Sequence, residues 1–152
     1  MSHQIIVISG TRTLDSREYI YGILDSEASR LLCVGHTLEF RIGDCRGVDK
    51  LAREWARDRG LPFTIYCASA WMYEFLSAHG FAAVLVADWD VDGRVAGHLR
   101  NAEMLKGSNL LVAIWDGSSP GTKNAKINAR ELKTPTLTWI YPQKDPSSVA
   151  DA

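Results

Sequence analysis

QIIVISGTR, residues 4–12, is the stretch near the start of the chain that decides the fold. Its apolar run up to Ser9 is rich in β-branched side chains, which is typical of a strand buried on both faces of a parallel sheet. Gly10 breaks the run, and a glycine at the end of such a strand indicates a loop. The stretch therefore predicts a buried strand that leads into a loop and then into a helix.

Helical and extended patterns alternate along the rest of the chain. Strands are predicted over residues 4–9, 37–42, 63–67, 81–87, 109–115 and 136–140. Helices are predicted from Asp15 to near Cys33, from Val48 to near Gly60, over 69–79, after Gly93 and after Gly121. Asp15 and Glu18 resemble a capping box at the start of the first helix. Because this alternation implies right-handed βαβ crossovers, the sequence predicts a Rossmann-like α/β fold of three layers with a mainly parallel sheet.

The composition is that of a globular domain. Of the 152 residues, 46% are hydrophobic and 23% are charged, which are average values for soluble proteins. A net charge of −1 argues against a surface that coats duplex DNA, since such surfaces usually carry a basic excess. We expect one nucleotide-binding domain over residues 1–141. A flexible tail is expected over 142–152, because that segment is rich in proline and serine and poor in large apolar residues.

The cysteines and histidines indicate neither a disulfide framework nor a metal site. Cys33, Cys45 and Cys67 are odd in number and widely spaced, with no CxxC pair, and the histidines show no HExxH-like pairing. The sequence also contains no apolar run of transmembrane length and no signal-like start. We therefore expect a cytoplasmic protein with no metal, no cofactor and no membrane partner.

The unusual residues collect in loops that should meet at one edge of the sheet. Ligands of open parallel sheets bind at the carboxyl ends of the strands, where loops and helix N-termini converge. Glycines let backbone N–H groups approach an anion, the following helix offers its positive end, and arginines add bidentate bonds. The predicted ligand-binding residues are Ser9, Gly10, Thr11, Arg12, Gly43, Asp44, Arg46, Gly47, Asp49, Trp89, Arg100, Asn101, Asp116, Gly117, Ser118, Gly121 and Thr122.

Each of these residues also has a structural explanation. A glycine can serve only a tight turn, an arginine can be solvated, and Asp44 or Asp116 can cap a helix. Their convergence on one edge favours a phosphate site over these separate explanations. Two tryptophans end predicted strands, and we expect Trp89 to contact the ligand and Trp115 to belong to the core.

Taken in order, the loop motifs resemble those of the SLOG superfamily, in its YspA- and YpsA-related, DUF2493-like branch. The matching segments are residues 9–12, 43–52, 88–89, 93–104 and 116–122. Any one of them is a weak signal, whereas the set in family order is specific. The resemblance implies a Rossmann-like fold and a nucleotide-derived ligand.

Two groups of relatives within that superfamily imply different activities. The Arg-Lys-x-x-Met segment of LOG phosphoribohydrolases is similar to residues 100–104, so Arg100 falls on their catalytic arginine. Their PGGxGTxxE loop is matched only partly by residues 118–122, and Ala125 stands where their glutamate is expected. DprA-like proteins, which bind single-stranded DNA, carry segments similar to residues 45–49 and 100–101.

Three functions are therefore open to the sequence: binding or sensing of a nucleotide-derived phosphate ligand, LOG-like hydrolysis or transfer at an N-glycosidic bond, and single-stranded DNA binding. A glycosidic transition state has oxocarbenium character and needs a carboxylate beside the sugar. For an enzyme, the candidate catalytic residues are Arg100, Glu103 and Asp44. The resemblance also implies a homo-oligomer, and the apolar residues Trp71, Phe75 and Leu76 are candidates for the pairing surface.

Overall fold

β1 (His3–Gly10) is a central strand of a six-stranded, all-parallel sheet in the computed structural model, which describes residues 2–141. The other strands are β2 (Thr37–Gly43), β3 (Phe63–Cys67), β4 (Ala83–Leu85), β5 (Leu110–Trp115) and β6 (Thr136–Ile140). Their order across the sheet is β4-β3-β2-β1-β5-β6. The chain therefore builds one half of the sheet outward from β1 and then returns to build the other. The predicted tail, residues 142–152, lies outside the described residues.

Helices cover both faces of this sheet. They are α1 (Arg17–Cys33), α2 (Val48–Asp58), α3 (Ala70–Ala78), α4 (Trp89–Asp92), α5 (Val95–Leu105) and α6 (Pro120–Glu131). Ile6 and Ile8 of β1 pack with residues of α1 and α2, whereas Val7 packs on the opposite face with Met104 of α5 and Ala125 of α6. Alternate residues of β1 thus belong to two cores, which explains its unbroken apolar run. The predicted three-layer, Rossmann-like α/β fold is confirmed.

The capping box predicted for α1 is wrong by one residue. Ser16 is the N-cap of α1, and its Oγ accepts a hydrogen bond from the N–H of Tyr19 at 3.3 Å. Glu18 instead lies in the first turn, where the positive end of the helix dipole favours its charge. Serine and aspartate cap helices about equally well, so residue type does not choose between Asp15 and Ser16.

The β4 edge of the sheet differs most from the prediction. β4 has only three residues where residues 81–87 were predicted, and Val84 and Leu85 are exposed. A short strand at an edge presents little backbone for unwanted pairing, which is how sheets commonly end. The single turn of α4 was not predicted. Asp88 begins it by accepting a hydrogen bond from the N–H of Asp90 at 3.3 Å.

Only part of the apolar surface predicted to pair copies of the chain faces solvent. Trp71 is 67% exposed and Phe75 is 43% exposed, and their rings stack with centroids 5.4 Å apart. Leu76 is buried against Ile65 and Cys67, so it holds α3 on the sheet and cannot contribute to pairing. The homo-oligomer stays a prediction that now rests on Trp71 and Phe75.

The structure of residues 2–141 also shows the state of the cysteine thiols and whether any helix could span a membrane. Cys33, Cys45 and Cys67 are free thiols. Within this range, every helix is too short or too polar to cross a lipid bilayer.

Two glycines bring the loop after β1 against the start of α2. A Cβ on Gly10 would lie 2.5 Å from the carbonyl oxygen of Ile114 and from the side chain of Val48. Gly47 has a φ of +72°, and a Cβ there would collide with the backbone of Arg12. These approaches leave room for glycine alone, and they fix the position of the first loop of the carboxyl edge.

Gly47→Ala is expected to lower the free energy of unfolding by ~2–4 kcal/mol, because a Cβ adds backbone strain at this φ and a collision with Arg12. Gly22→Ala is the matched control. Gly22 lies exposed in α1 with open space around its Cβ position, so this change should raise the free energy of unfolding by ~0.5–1 kcal/mol. Urea unfolding followed by circular dichroism measures both variants. A Gly47→Ala protein as stable as the wild type would contradict the close approach.

Candidate functional site

A cleft with two adjacent lobes lies at the carboxyl edge of the sheet. Its inner lobe measures about 320 Å³ and its outer lobe about 370 Å³, volumes that suit small-molecule ligands. The inner lobe is lined by Ser9, Gly10, Thr11, Arg12, Thr13, Cys45, Arg46, Asp49, Arg100, Asn101, Ser119, Pro120, Gly121 and Thr122. The outer lobe is lined by Arg12, Trp89, Arg94, Gly97, His98, Arg100, Asn101, Pro120 and Gly121. The lobes share Arg12, Arg100, Asn101, Pro120 and Gly121 and are therefore adjacent.

Thr11 fixes the loop after β1 at the back of the cleft. Its N–H donates to the carbonyl oxygen of Ile114 at 3.1 Å, and its own carbonyl oxygen accepts from the N–H of Val48 at 3.2 Å. Its hydroxyl oxygen accepts a third hydrogen bond from the N–H of Asp116 at 3.0 Å. Thr11 thus ties together the ends of β1 and β5 and the start of α2, and its side chain is largely occupied by this task.

A buried ion pair between Asp44 and Arg100 forms the floor of the cleft. Nη1 of Arg100 donates to Oδ1 of Asp44 at 2.7 Å, and the side chains are only 7% and 2% exposed respectively. The second oxygen of Asp44 accepts the N–H of Ala68 at 3.0 Å. Nε of Arg100 donates to Oδ1 of Asn101 at 3.0 Å, and Nδ2 of Asn101 donates to the carbonyl oxygen of Gly121 at 3.2 Å. This network joins the loops after β2 and β3 to α5 and α6.

Asp49 is a second buried carboxylate, and it faces the inner lobe. Oδ2 accepts the N–H of Cys45 at 3.2 Å. Burial raises the pKa of Asp49 above its usual value, and the neighbouring charge of Asp44 adds to this, while Arg100 and Arg53 act in the opposite direction. Arg53 is itself held by the carbonyl oxygens of Gly43 and Cys45, at 3.1 and 2.9 Å.

The rim of the cleft carries arginines that have no acidic partner. Arg12 and Arg46 are exposed at the inner lobe and Arg94 at the outer lobe. Within residues 2–141, none of the three forms an ion pair with a carboxylate. The guanidinium of Arg12 lies over the ring of Trp89, 5.5 Å from its centroid. The rim is therefore locally cationic although the whole chain is close to neutral.

The N-terminus of α6 opens into the same cleft. Its N-cap residue, Ser119, makes no side-chain capping bond, and Pro120 has no N–H to offer. The N–H groups of Gly121 and Thr122 have no hydrogen-bond partner in the described part of the chain. These donors and the positive end of the helix dipole form an arrangement that favours an anion.

Most of the predicted ligand-binding residues come together in the cleft. Those that line it are Ser9, Gly10, Thr11, Arg12, Arg46, Asp49, Trp89, Arg100, Asn101, Gly121 and Thr122. Gly43, Asp44, Gly47, Asp116, Gly117 and Ser118 lie at the same edge but do not line either lobe. Gly43 and Gly47 instead allow close packing beneath the cleft, and Asp44 anchors its floor.

Asp116 shapes the loop before α6 and does not reach the cleft. Its carboxylate accepts the N–H groups of Ser118 and Ser119 at 2.9 and 2.7 Å, and the Ser119 hydroxyl at 2.8 Å. Burial of Asp116 opposes its charge, but these hydrogen bonds outweigh that effect and lower its pKa. The structural explanation of this aspartate, as a residue that organises a helix start, therefore accounts for its contacts.

The structure does not bring Glu103 into the cleft. Its carboxylate accepts a hydrogen bond from Lys106 at 2.9 Å on the exposed side of α5. Position 125, where LOG phosphoribohydrolases are expected to carry a glutamate, does not line the cleft either. Ala125 is fully buried with Val7 and Met104 beneath it. Of the candidate catalytic residues, Arg100 alone lines the cleft, and Asp44 contacts it only through Arg100.

Of the two tryptophans predicted at strand ends, only Trp115 has surroundings different from those predicted. Trp89 lines the outer lobe, yet it also packs against Ala68, Ala87 and Ala96. Trp115 is half-buried and is not part of the core. Its Nε1 donates to the carbonyl oxygen of Ser119 at 3.0 Å, and Lys126 Nζ lies 4.7 Å from its ring centroid.

Several residues that line the cleft were not predicted. They are Thr13, Cys45, Ser119, Pro120, Arg94, Gly97 and His98. All of them lie inside or directly beside the loop segments that carried the prediction, so position after a strand was the signal that could have found them. Burial raises the pKa of the Cys45 thiol, which keeps this cleft residue in its protonated form. Among residues 2–141, no group of histidine, cysteine, aspartate and glutamate has the geometry to hold a metal ion.

Comparisons with known proteins agree with this architecture. Residues 4–71 match the model of the family described as YAcAr, the YspA, cpYpsA-related SLOG family. The Gene 61 protein of Mycobacterium phage D29 is 28% identical over 141 residues, which cover 88% of this chain and 94% of that protein. The family match spans the loops after β1 and β2, which line part of the inner lobe.

Two solved structures share the fold. DNA processing protein A from Helicobacter pylori, described with a single-stranded DNA binding mode, has a TM-score of 0.60 and 15% identity, covering 96% of this chain and 70% of that one. TM1055, a structural-genomics target, has a TM-score of 0.61 and 14% identity, covering 98% of this chain and 81% of that one. Residues 4–71 are thus similar to the YspA- and cpYpsA-related SLOG family, and the chain shares the fold of the two solved structures.

Proposed function

We propose that the protein binds a nucleotide or nucleotide-derived phosphate ligand in the two-lobed cleft. The observation that carries the proposal is the pairing of unneutralised arginines with free backbone donors. Arg12 and Arg46 have no carboxylate partner within residues 2–141, and they lie at the same lobe as the N–H groups of Gly121 and Thr122. Guanidinium groups and a helix N-terminus both favour phosphate, because each offers fixed donors and positive charge.

The outer lobe supports a ligand larger than inorganic phosphate. Trp89 and the guanidinium of Arg12 provide flat surfaces there, and both aromatic rings and guanidinium planes stack on nucleobases. A phosphate in the inner lobe and a base in the outer lobe would together use the whole cleft. The sugar between them would then lie near the shared residues Arg100 and Asn101.

One observation favours hydrolysis of an N-glycosidic bond as a second candidate function. Asp49 places a carboxylate at the inner lobe, and an oxocarbenium-like transition state needs such a group beside the sugar. Asp44 is less suited, because both of its oxygens already accept hydrogen bonds.

Single-stranded DNA binding is the third candidate. The structural neighbour from Helicobacter pylori is described as binding single-stranded DNA, and exposed arginines at a cleft rim suit a phosphate backbone as well as a nucleotide. A net charge of −1 favours the small ligand, since a polymer would require a longer cationic surface.

Arg12→Ala and Arg46→Ala are each expected to weaken the binding of adenosine 5′-monophosphate by roughly 5- to 30-fold, because each removes a charge-assisted contact at an exposed site. Neither arginine makes an ion pair, so the melting temperature of the free protein should change by no more than about 1–2 °C. Isothermal titration calorimetry measures the affinity.

Arg57→Ala is the matched control for these arginine variants, because Arg57 lies in the last turn of α2, away from the cleft. It should leave affinity unchanged. Wild-type affinity in both Arg12→Ala and Arg46→Ala would exclude these arginines from the site. A twenty-nucleotide oligo-dT that bound far more tightly than the mononucleotide would favour the DNA-binding candidate instead.

Gly121→Val is expected to abolish nucleotide binding and leave the fold intact. A Cβ at Gly121 meets no atom within 4 Å, so the larger side chain can enter the cleft beside the free N–H groups and occupy the space of the anion. Gly121→Ala should weaken binding less, since a methyl group fills less of that space. Calorimetry and thermal melting report binding and fold separately. Full binding by Gly121→Val would mean that this loop serves only as a turn.

Incubation with ribonucleoside and deoxyribonucleoside monophosphates is expected to release no free base above the uncatalysed background. Ala125 replaces the glutamate of LOG enzymes, and loss of a carboxylate at the anomeric carbon removes stabilisation on the order of several kcal/mol from the transition state. Chromatography of the mixtures detects released base. Rapid release that disappears in Asp49→Asn would identify a hydrolase and reject a binding protein.

A further inference from the structure

Asp49 is the one acidic residue among residues 2–141 that lines the cleft, and one of its oxygens is unused. The residue is 5% exposed and lines the inner lobe. Oδ2 accepts the N–H of Cys45 at 3.2 Å, while Oδ1 accepts no hydrogen bond from residues 2–141. No arginine or lysine nitrogen of these residues lies within 4.0 Å of the carboxylate. Oδ1 can therefore accept a hydrogen bond from a ligand in the cleft.

The neighbouring carboxylates do not share this property. Both oxygens of Asp44 accept hydrogen bonds, from Arg100 and from the N–H of Ala68. Asp116 is saturated by the serines that follow it, and Glu103 pairs with Lys106 outside the cleft. Asp49 is thus the acidic side chain that can act on a bound ligand directly.

Close packing holds the Asp49 side chain in place. A Cβ on Gly43 would collide with Oδ2 of Asp49 and would lie 2.8 Å from Nη1 of Arg100. The absence of a side chain at Gly43 therefore lets the carboxylate sit directly against β2. From this position the carboxylate cannot move closer to the sheet, and the residue lines the inner lobe.

Charge then limits what this oxygen can contact. An ionised carboxylate repels a phosphate, so the phosphate should lie beside Arg12, Arg46 and the start of α6 and away from Asp49. A ligand group that contacts Asp49 must donate a hydrogen bond. It must also lie close enough to the phosphate for both groups to fit in the inner lobe. In a nucleotide, the ribose hydroxyls meet both conditions.

We propose that Asp49 accepts a hydrogen bond from a ribose hydroxyl of the ligand and thereby selects ribonucleotides over deoxyribonucleotides. This inference rests on the proposed function, because it takes the phosphate position as given. Burial raises the pKa of Asp49, and a hydrogen bond from the ligand to its unused oxygen would lower that pKa.

The test compares adenosine 5′-monophosphate, its 2′-deoxy and 3′-deoxy analogues, and inorganic phosphate, each titrated calorimetrically into the wild type, Asp49→Ala and Asp49→Asn. The wild type should bind at least one deoxy analogue roughly 10- to 100-fold more weakly than the ribonucleotide, the range expected for a hydrogen bond to a charged group. In Asp49→Ala this ratio should fall to about 2 or less. Asp49→Asn, which can still accept the N–H of Cys45, should show an intermediate ratio and a preserved fold.

Inorganic phosphate separates this inference from the proposed function. Its affinity should stay constant or rise in both variants, since a negative charge near the site has been removed. Asp90→Asn is the control, because Asp90 is an exposed carboxylate on α4 that does not line the cleft, and it should alter no ratio.

Each outcome of these titrations decides one of the two claims. Equal binding of ribo- and deoxyribonucleotides by a wild type that binds phosphate would overturn the role of Asp49 alone. A fall in phosphate affinity in Asp49→Asn would also overturn that role, because it would make Asp49 a protonated partner of the phosphate. Failure of the wild type to bind phosphate and all the nucleotides would overturn the proposed function, and this inference with it.

Discussion

The buried ion pair between Asp44 and Arg100 is the interaction on which the carboxyl edge depends. It joins the loop after β2 to α5, and through Ala68 and Asn101 it reaches the loop after β3 and the start of α6. Loss of one partner of such a pair leaves a buried charge alone, which usually costs about 3–5 kcal/mol. The pair therefore sets the distances between loops that come from separate crossovers.

This interaction also determines which cations are free for a ligand. Arg100 resembles a catalytic arginine by its position in the sequence, but its Nη1 and Nε are already bound to Asp44 and Asn101. Its positive charge is neutralised within the protein. The unneutralised charge of the cleft instead lies on arginines of the rim, which have no comparable role in the fold. The fold of this edge thus depends on Arg100, whereas the proposed ligand site relies on Arg12 and Arg46.

The sequence predicts the centre of this molecule better than its periphery, for a physical reason. β1 and β5 are buried on both faces, so nearly every side chain in them must be apolar and their pattern is unambiguous. β4 lies at the edge of the sheet, and the apolar run at residues 81–87 extends beyond the three residues that form this strand. Local choices between adjacent caps, such as Asp15 and Ser16, depend on backbone geometry that residue type does not encode.

In the candidate site, too, the sequence predicts some features and not others. The loops that form the cleft follow from topology, because parallel strands bring their carboxyl ends to one edge. The direction of each side chain within those loops does not follow. Glu103 lies only three residues after Arg100, yet this places it about 4.5 Å further along α5 and away from the edge, where Lys106 is its nearest partner. Asp44 and Asp49 are equally acidic in the sequence, and only their contacts show that one is saturated and the other is not.

The contact between Arg12 and Trp89 has a consequence for how fast and how tightly the cleft can capture an anion. An aromatic face restrains the guanidinium without cancelling its charge, whereas a carboxylate would do both. The long side chain of Arg12 has therefore already lost part of its conformational freedom before any ligand arrives. An incoming anion meets a cation that is preorganised and has no internal competitor to displace.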